Sequence, residues 1–426
     1  MGRWRWKCTH CGCAYAPGEA EYLCPRCAGD GAAGASLRGV LRAEYGDCGG
    51  FPCEDSVDGA ESGAGGAFLD HRRYLDLLPL ADPRPLPPLP VGPTPLLACE
   101  RLRERLGLPR LYVKNDALLP TGSLKDRASS LVVARARERG DRIVVTASTG
   151  NAATSLAGMC AAAGLRAVVL VPGAAPREKL IQMLHYGAMV CPIEGSYDEA
   201  FALCLAAGAE FGWYNRSTAF NPYTIEGKKT VAFEIWEQLG RRAPQAVVVP
   251  VGDGVILAGV EKGFADLHHF GLIDRLPRLI AVQAEGSAAI VRAWQRGDAE
   301  VSAVAARTAA DSICVGSPAN GSWALRALRA TEGRGVTVAD DEILSAMHLM
   351  ASLSGIYAEP AAAAPLAGLV RLAREVRLDP AETIVLLVTG SGLKDTRTAM
   401  QAVRLPAALP PTLEAVRERV ERELRG

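Results

Sequence analysis

The 426-residue sequence has no excess of charge of either sign and no long apolar segment. It carries 47 basic and 47 acidic residues, so its formal net charge is zero, which argues against broad binding to nucleic acid or to membrane surfaces. No apolar run approaches the roughly 18 residues that span a bilayer, and the longest candidate, residues 161–171, is broken by Gly164 and Arg166. The start, Met1–Lys7, is not followed by the apolar stretch of a signal peptide. We therefore expect a cytoplasmic protein without nucleic-acid or membrane partners.

Histidine is also scarce, and the motifs of two large enzyme classes are missing. The six histidines show neither metal-ligand nor catalytic-triad spacing. No Walker-type loop occurs, because Gly227-Lys228-Lys229-Thr230 lacks the upstream glycine. What remains, 49% hydrophobic and 22% charged residues, is typical of a soluble globular protein with two or three domains.

Four of the twelve cysteines form two pairs with the spacing of a zinc ribbon. In Cys8-Thr9-His10-Cys11 and Cys24-Pro25-Arg26-Cys27, a two-residue gap allows a tight turn to point both sulfurs at one metal ion. We predict a closed structural zinc site with the ligands Cys8, Cys11, Cys24 and Cys27. His10 and Cys13 are possible substitute ligands, and the alternative is a metal-free segment.

The other cysteines show no comparable pattern. Cys48 and Cys53 have no matching second pair, so we interpret residues 46–53 as a loop. The remaining cysteines lie in apolar segments and are most simply small core residues.

Short β-branched runs alternate with longer alanine-rich segments from about residue 110 onward. The runs comprise residues 142–146, 167–171, 246–251, 279–283 and 383–389. Because they are continuously apolar, they indicate parallel strands that are covered on both faces. Residues 126–139 and 223–239 are long enough for crossover helices. The pattern predicts an α/β fold, in which ligands bind where strands end and helices begin.

One lysine stands at the start of a predicted helix. In Pro120-Thr121-Gly122-Ser123-Leu124-Lys125-Asp126-Arg127, a Gly-Ser turn precedes a predicted helix that opens at Asp126. The helix macrodipole disfavours a cation in the first turn, so the Lys125 amine would tend to lose its proton. A neutral amine is what a lysine needs in order to attack an aldehyde.

This segment resembles the pyridoxal-phosphate (PLP) lysine motif of the threonine synthase family, whose members have the tryptophan-synthase-β-like fold (fold type II). The resemblance implies two open, twisted, mostly parallel sheets with helices on both faces, PLP bound covalently to Lys125, and a homodimer. It covers about residues 8–400, since Gly92–Leu96 and Tyr357–Ala361 also resemble family segments and some members carry the N-terminal cysteine pairs.

Three further loops resemble the family's binding segments. The first, Ser148, Thr149, Gly150 and Asn151 with Thr154, is predicted to receive the substrate carboxylate at a helix N-terminus, and Asn151 to meet the phenolic oxygen of PLP. The second, Gly252, Asp253, Gly254, Val255 and Ile256, is predicted to hold the cofactor phosphate with backbone amides. There Asp253 must point outward or hold a backbone amide, because a carboxylate repels phosphate. In the third loop, Thr389 is predicted to meet the pyridine nitrogen as a neutral partner.

With the resemblance, the chain divides into four parts. Residues 1–35 are predicted to form the zinc-ribbon-like element, and residues 36–90 a connector, flexible at 54–67, that ends in an extended proline-rich arm at 79–90. Residues 91–410 form the PLP-binding region, with a small domain at about 125–240 inserted in a larger one. Residues 411–426 form a C-terminal helix.

The sequence departs from the family where substrate phosphate is bound. Threonine synthases usually carry asparagine, serine and arginine at the positions of Thr218, Ala219 and Thr224, and these residues are associated with the phosphate of O-phosphohomoserine. Without the arginine, a bidentate and permanently charged grip is lost. Lys228 would supply a point charge if it does not face solvent, and Ile256 stands near the place of the phosphate loop's usual asparagine. We predict substrate contacts from Thr218 and Thr224, and a substrate other than O-phosphohomoserine.

The predicted activity is therefore elimination or replacement at Cβ or Cγ of an amino acid by a PLP-dependent lyase or synthase. A β-replacement synthase or a serine/threonine dehydratase is the alternative within the same fold. A zinc-ribbon interaction module without PLP is the alternative from another class.

Overall fold

The structure is a computed structural model and describes residues 4–28, 36–46, 70–82, 84–173 and 177–424. The predicted flexible connector at 54–67, the loop cysteines Cys48 and Cys53, and the end of the predicted zinc-ribbon element at 29–35 lie outside the described residues.

Thirteen strands in the described ranges form three sheets. Their bounds are β1 (Trp4–Cys8), β2 (Ala14–Tyr15), β3 (Leu41–Tyr45), β4 (Leu96–Leu97), β5 (Leu111–Asn115), β6 (Ile143–Ala147), β7 (Arg166–Pro172), β8 (Met189–Ile193), β9 (Tyr214–Asn215), β10 (Ala246–Pro250), β11 (Arg278–Ala284), β12 (Arg334–Val338) and β13 (Ile384–Val388).

Fourteen α-helices connect or cover these strands in the described part of the chain. Their bounds are α1 (Glu100–Leu106), α2 (Lys125–Arg139), α3 (Asn151–Ala163), α4 (Arg177–His185), α5 (Tyr197–Phe211), α6 (Tyr223–Lys228), α7 (Thr230–Gln238), α8 (Val255–His269), α9 (Ala289–Arg296), α10 (Gly321–Ala330), α11 (Asp340–Ser354), α12 (Pro360–Glu375), α13 (Thr396–Ala399) and α14 (Leu413–Leu424).

The two larger sheets are mostly parallel, which confirms the predicted fold class. One has the order β12-β11-β10-β13-β5-β4, and only its edge strand β4 runs antiparallel. The other has the order β8-β7-β6-β9 and is parallel throughout. All five strands predicted from apolar runs are present, and their residues are almost wholly buried because helices cover both faces.

The smaller parallel sheet is formed entirely by residues that lie, in sequence, between β5 and β10. Helix α2 packs against α3 and α6, and α6 in turn packs against α8. These helices carry Lys125, Asn151, Thr154 and Thr224, four of the predicted cofactor and substrate residues. The helix predicted at residues 223–239 is divided into α6 and α7 at Lys229.

The third sheet is antiparallel, with the order β2-β1-β3. Its strand β3 lies within residues 36–90, which sequence reasoning assigned to a connector and arm. The sheet packs on α6: Ala43 N donates to Glu226 Oε1 over 2.8 Å, and the rings of Trp6 and Tyr223 meet edge to face at 5.2 Å. The cysteine-bearing segment therefore supports the helix that presents Thr224 and Lys228.

The described part of the proline-rich arm at 79–90 contains neither helix nor strand, as predicted. Among the helices that the structure describes, none has both the length and the apolar character required to cross a bilayer.

Candidate active site

The loop that carries Lys125 is held by the end of β13. Leu124 N donates to Thr389 O over 2.9 Å, and Ser391 N donates to Gly122 O over 3.0 Å. Helix α2 begins at Lys125, one residue earlier than predicted. The lysine therefore stands in the first turn of α2, directly beside Thr389, where two of the predicted PLP segments meet.

The environment of Lys125 favours its neutral, nucleophilic form. Loss of hydration lowers the pKa of Lys125 to about 8, and nearby Arg216 acts in the same direction, whereas Glu359 and Asp253 oppose the shift. A pKa of about 8 leaves roughly one tenth of the amine neutral at pH 7, against less than about a thousandth for an unshifted lysine. The side chain is nevertheless not sealed, since Lys125 is partly accessible to solvent. Such an amine can reach and attack an aldehyde.

A buried network of charges anchors the first turn of α2. Arg127 pairs with Asp116 over 2.7 Å and with Glu234 over 2.6 Å, and Lys114 pairs with Glu234 over 2.6 Å. Thr94, in the Gly92–Leu96 segment, donates its backbone N–H to Glu234 over 3.0 Å. These contacts tie β5, α2 and α7 together and hold Lys125 in place.

Asn151 begins α3 directly after the Ser148–Gly150 loop and faces Glu359. Its Nδ2 donates to the two Glu359 carboxylate oxygens over 2.8 and 3.0 Å, and Glu359 N donates to Gly390 O over 3.0 Å. Asn151 Oδ1 is buried without a hydrogen-bond partner in the described structure. The loop after β6, the start of α12 and the loop after β13 therefore converge at this asparagine.

The Ser148–Gly150 loop keeps its backbone amides near the start of a thirteen-residue helix. Ser148 Oγ accepts from Gly150 N over 3.2 Å, and Thr154 Oγ1 donates back to Gly150 O over 3.2 Å. Thr154 also lines a cavity of about 410 Å³ together with Gln182 and Lys394. Amides at a helix N-terminus bind carboxylates, which suits the predicted substrate role.

The Gly252–Ile256 loop follows β10 and starts α8. Gly254 has φ +86°, and a Cβ there would lie 2.8 Å from Ala324 Cβ and 2.9 Å from Asn320 O, so only glycine fits. Asp253 Oδ1 accepts from Ala319 N over 3.2 Å, which is one of the two arrangements predicted for it. Burial raises the pKa of this carboxyl, although Lys125 and Lys228 oppose the shift. The loop thus leaves amides of the α8 N-terminus available to an anion.

The positions that replace the family's phosphate-binding residues are already engaged. Thr218 Oγ1 accepts from Arg216 Nη1 over 2.9 Å, and Thr224 Oγ1 donates to Asn221 O over 2.7 Å. Ala219 has no polar side-chain atom. None of the three offers a cation to a substrate phosphate.

Sequence reasoning missed two parts of this site. Arg216 is fully buried just after β9 and lies near Ser129 of α2. Glu359 belongs to the Tyr357–Ala361 segment that resembles the family, but its contact with Asn151 was not predicted. The only sequence signal for Arg216 was its position at a strand end, two residues before Thr218. Lys228, for which a solvent-facing position was an open alternative, is buried.

The four cysteines predicted as metal ligands come together. The ligand atoms of Cys8, Cys11, Cys24 and Cys27 all lie within 4.8 Å of one another. The Cys8–Cys27 and Cys11–Cys24 sulfur distances are 4.0 and 3.7 Å, close to the roughly 3.8 Å between sulfurs in a tetrahedral zinc site with Zn–S bonds of about 2.3 Å. His10 and Cys13 are not part of this cluster.

The fold and the residues around Lys125 are those of a PLP-dependent enzyme, and comparison with known proteins gives the same class. The family model described as "Pyridoxal-phosphate dependent enzyme" matches residues 88–390. The chain belongs to this family and is a PLP-dependent enzyme.

Its curated relatives include threonine synthases, as the lysine motif suggested. The chain is similar to threonine synthase of Methanosarcina acetivorans, 35% identical over 97% of this chain and 98% of that protein. It is also similar to threonine synthase of Methanocaldococcus jannaschii, 38% identical over 83% of this chain and 87% of that protein.

Solved structures of threonine deaminases have the same fold. The enzyme from T.th. is 28% identical with a TM-score of 0.61, covering 70% of this chain and 92% of that chain. Isoform 2 from Solanum lycopersicum is 25% identical with a TM-score of 0.62, covering 73% of this chain and 88% of that chain.

The residues present fit PLP. The site combines three features that suit this cofactor. The pKa of the Lys125 amine is lowered, Asn151 Oδ1 is buried with no hydrogen-bond partner among the described residues, and a glycine turn opens the fifteen-residue helix α8. Lys125 would hold the aldehyde, Asn151 the phenolic oxygen, the Gly252–Ile256 amides the phosphate, and Thr389 the pyridine nitrogen.

Proposed function

We propose that the protein eliminates or replaces a substituent at Cβ or Cγ of an amino acid, and that this amino acid is not O-phosphohomoserine. The observation that carries the second part is the set Thr218, Ala219 and Thr224, which offers no charged grip at the positions where the family holds the substrate phosphate. The relatives' name, threonine synthase, supports O-phosphohomoserine as the competing substrate. A zinc-ribbon module without PLP is excluded by family membership.

In this proposal each side chain has a defined task. Amides of the Ser148–Asn151 loop receive the substrate carboxylate at the α3 N-terminus. The Lys125 amine removes the α-proton, for which its lowered pKa suits it. When bound, PLP supplies an electron sink that acidifies the α-hydrogen, and a neutral partner such as Thr389 leaves that sink moderate. The leaving group then departs from Cβ or Cγ, and water or another nucleophile adds.

A serine/threonine dehydratase remains the second candidate. It is favoured by the absence of a cationic side chain at positions 218, 219 and 224, since serine and threonine carry no anionic side-chain group. The similarity to threonine deaminases, at 25–28% identity, also supports dehydratase activity.

A substrate panel tests the proposal. We expect serine, threonine or an O-activated homologue to change the cofactor spectrum and turn over, with kcat/KM at least about tenfold above that for O-phosphohomoserine, because a single charge-assisted contact is worth about 1.5–3 kcal/mol. Products are identified by mass spectrometry, and Lys125→Ala serves as the inactive control. Efficient phosphate release from O-phosphohomoserine with threonine formation would refute the substrate proposal.

We also propose that the cysteine cluster holds a structural zinc ion. Support comes from the tetrahedral sulfur spacing and from the backbone N–H groups of His10 and Cys11, which point at Cys8 Sγ over 3.3 and 3.4 Å. A homodimer, a cytoplasmic location and the four-part division of the chain stay predictions.

Replacing one ligand should release the metal. We expect Cys24→Ser to weaken zinc binding by more than the roughly 10–100-fold that changes to residues around the ligands cause. The thermal midpoint of unfolding should also fall, because the segment that contains β1–β3 then loses its metal cross-link. Cys13→Ser is the matched control, since Cys13 lies in the same segment but accepts from Arg26 instead. Zinc is measured by atomic emission. Equal zinc loss from both variants, or none from either, would contradict the assignment.

A further inference from the structure

Lys228 is a buried lysine that forms no ion pair with any carboxylate in the described part of the chain. It is the last residue of α6, and its side chain is about 1% exposed. Within the described residues its ammonium makes a single hydrogen bond, to Thr224 O over 3.0 Å, and no ion pair. The adjacent Lys229 differs completely, because Glu226 and Asp266 pair with it over 2.6 and 2.9 Å. Of two neighbouring buried lysines, the described residues thus give one an ion pair and leave the other with none.

Lys228 packs against α8, the helix that follows the predicted phosphate loop. Helix α6 packs so closely on α8 that a Cβ on Gly259, one turn into α8, would lie 2.8 Å from Lys228 Cβ. The Lys228 ammonium turns back toward the backbone oxygen of Thr224, in the first turn of α6. It also interacts electrostatically with Lys125 and Asp253, so the aldehyde-binding lysine and the loop that starts α8 are both near it.

Within the described residues no carboxylate forms an ion pair with Lys228, and Asp253 acts on it only from farther away. Burial and the cations Arg216 and Lys125 push the pKa of Lys228 well below its usual value, and Asp253 opposes them only partly. The α8 N-terminus adds positive potential of its own. A buried cation without a counter-charge is costly, and a dianionic phosphate is the ligand that would supply the charge. A phosphate on this loop also requires a nearby cation, because the Asp253 carboxylate repels it.

We propose that Lys228 binds the phosphate group of PLP together with the amides at the start of α8, and that it offsets the repulsion from Asp253. This inference rests on the proposed cofactor site at Gly252–Ile256, and not on the identity of the substrate. Lys228 is then a cofactor-binding residue that the glycine loop alone does not reveal.

The test compares PLP with pyridoxal, which lacks the phosphate. Apoprotein of the wild type, Lys228→Gln and the surface control Lys7→Gln is titrated with each compound, and affinity is measured by equilibrium dialysis and by ³¹P NMR of bound PLP. We expect Lys228→Gln to weaken PLP binding by about tenfold or more, to leave pyridoxal binding unchanged and to shift the ³¹P resonance. The Lys7→Gln protein should match the wild type.

Two further measurements separate phosphate binding from a structural role. Apo Lys228→Gln should be at least as stable to heat as the wild-type apoprotein, because the unpaired buried charge has been removed. Combined with Asp253→Asn, Lys228→Gln should cost less PLP affinity than it does alone, since the repulsion that Lys228 offsets has gone.

Three outcomes overturn the inference. Unchanged PLP affinity in Lys228→Gln, or equal weakening for PLP and pyridoxal, would show that the lysine does not bind the phosphate, while the proposed function stands. Failure of the wild-type apoprotein to bind PLP at all would instead remove the cofactor site itself, and this inference with it.

Discussion

Lys125→Ala is expected to lower kcat/KM by about 10³-fold or more, because one substitution removes both the covalent anchor of PLP and the base for the α-proton. The visible absorbance of the lysine-bound cofactor should disappear together with turnover. The structure gives the physical reason, since Lys125 is the first residue of α2 and its low pKa, about 8, makes it a nucleophile at neutral pH.

A rescue experiment distinguishes the loss of the Lys125 amine from a loss of folded protein. Small primary amines added to Lys125→Ala should restore part of the turnover, while they should not affect the wild type. The Lys7→Ala variant, in which a partly exposed lysine of β1 is removed, should keep full activity. Wild-type turnover by Lys125→Ala without added amine would contradict the assigned role.

Glu234→Ala is expected to reduce the free energy of unfolding by about 3–5 kcal/mol, because it removes one of the two carboxylates in the buried network. Asp116 alone would then have to balance the two buried cations Lys114 and Arg127. Burial alone would raise the pKa of Glu234, but the two cations more than offset it, so its net pKa lies well below the ordinary value. The carboxylate therefore stays charged across the working pH range. Denaturant unfolding followed by circular dichroism measures the change.

Glu100→Ala is the matched control for this prediction. Glu100 also pairs with an arginine, Arg103, but its side chain is 71% exposed, so its removal should change stability by less than about 1 kcal/mol. Equal unfolding midpoints for the Glu234 and Glu100 variants would show that the buried network does not anchor α2.

Local sequence patterns predicted the parts of the fold that local physics determines. The five central strands are continuous apolar runs, and such runs are buried on both faces wherever they form. Asn151, Gly254 and Thr389 lie within four residues of a strand end, so their position at the carboxyl edge of a parallel sheet could be expected once such a sheet was inferred, whereas Lys125 lies ten residues after β5.

The features that sequence reasoning missed depend on tertiary contacts. The pairs Asn151–Glu359 and Arg127–Glu234 join residues more than 100 positions apart, and no local pattern links them. Strand β9 has only two residues, and β3 pairs with β1 across a long interval. Whether Lys228 faced solvent or the interior depended on how α6 packs against α8, which its own six residues do not determine.

Borohydride reduction of the PLP-loaded protein, followed by peptide mass mapping, tests the central claim most directly. Reduction makes the bond between the cofactor and its lysine permanent. The account predicts a phosphopyridoxyl group on the peptide that contains Lys125 and on no other peptide. An unmodified Lys125, or a label on another lysine such as Lys228, would contradict it.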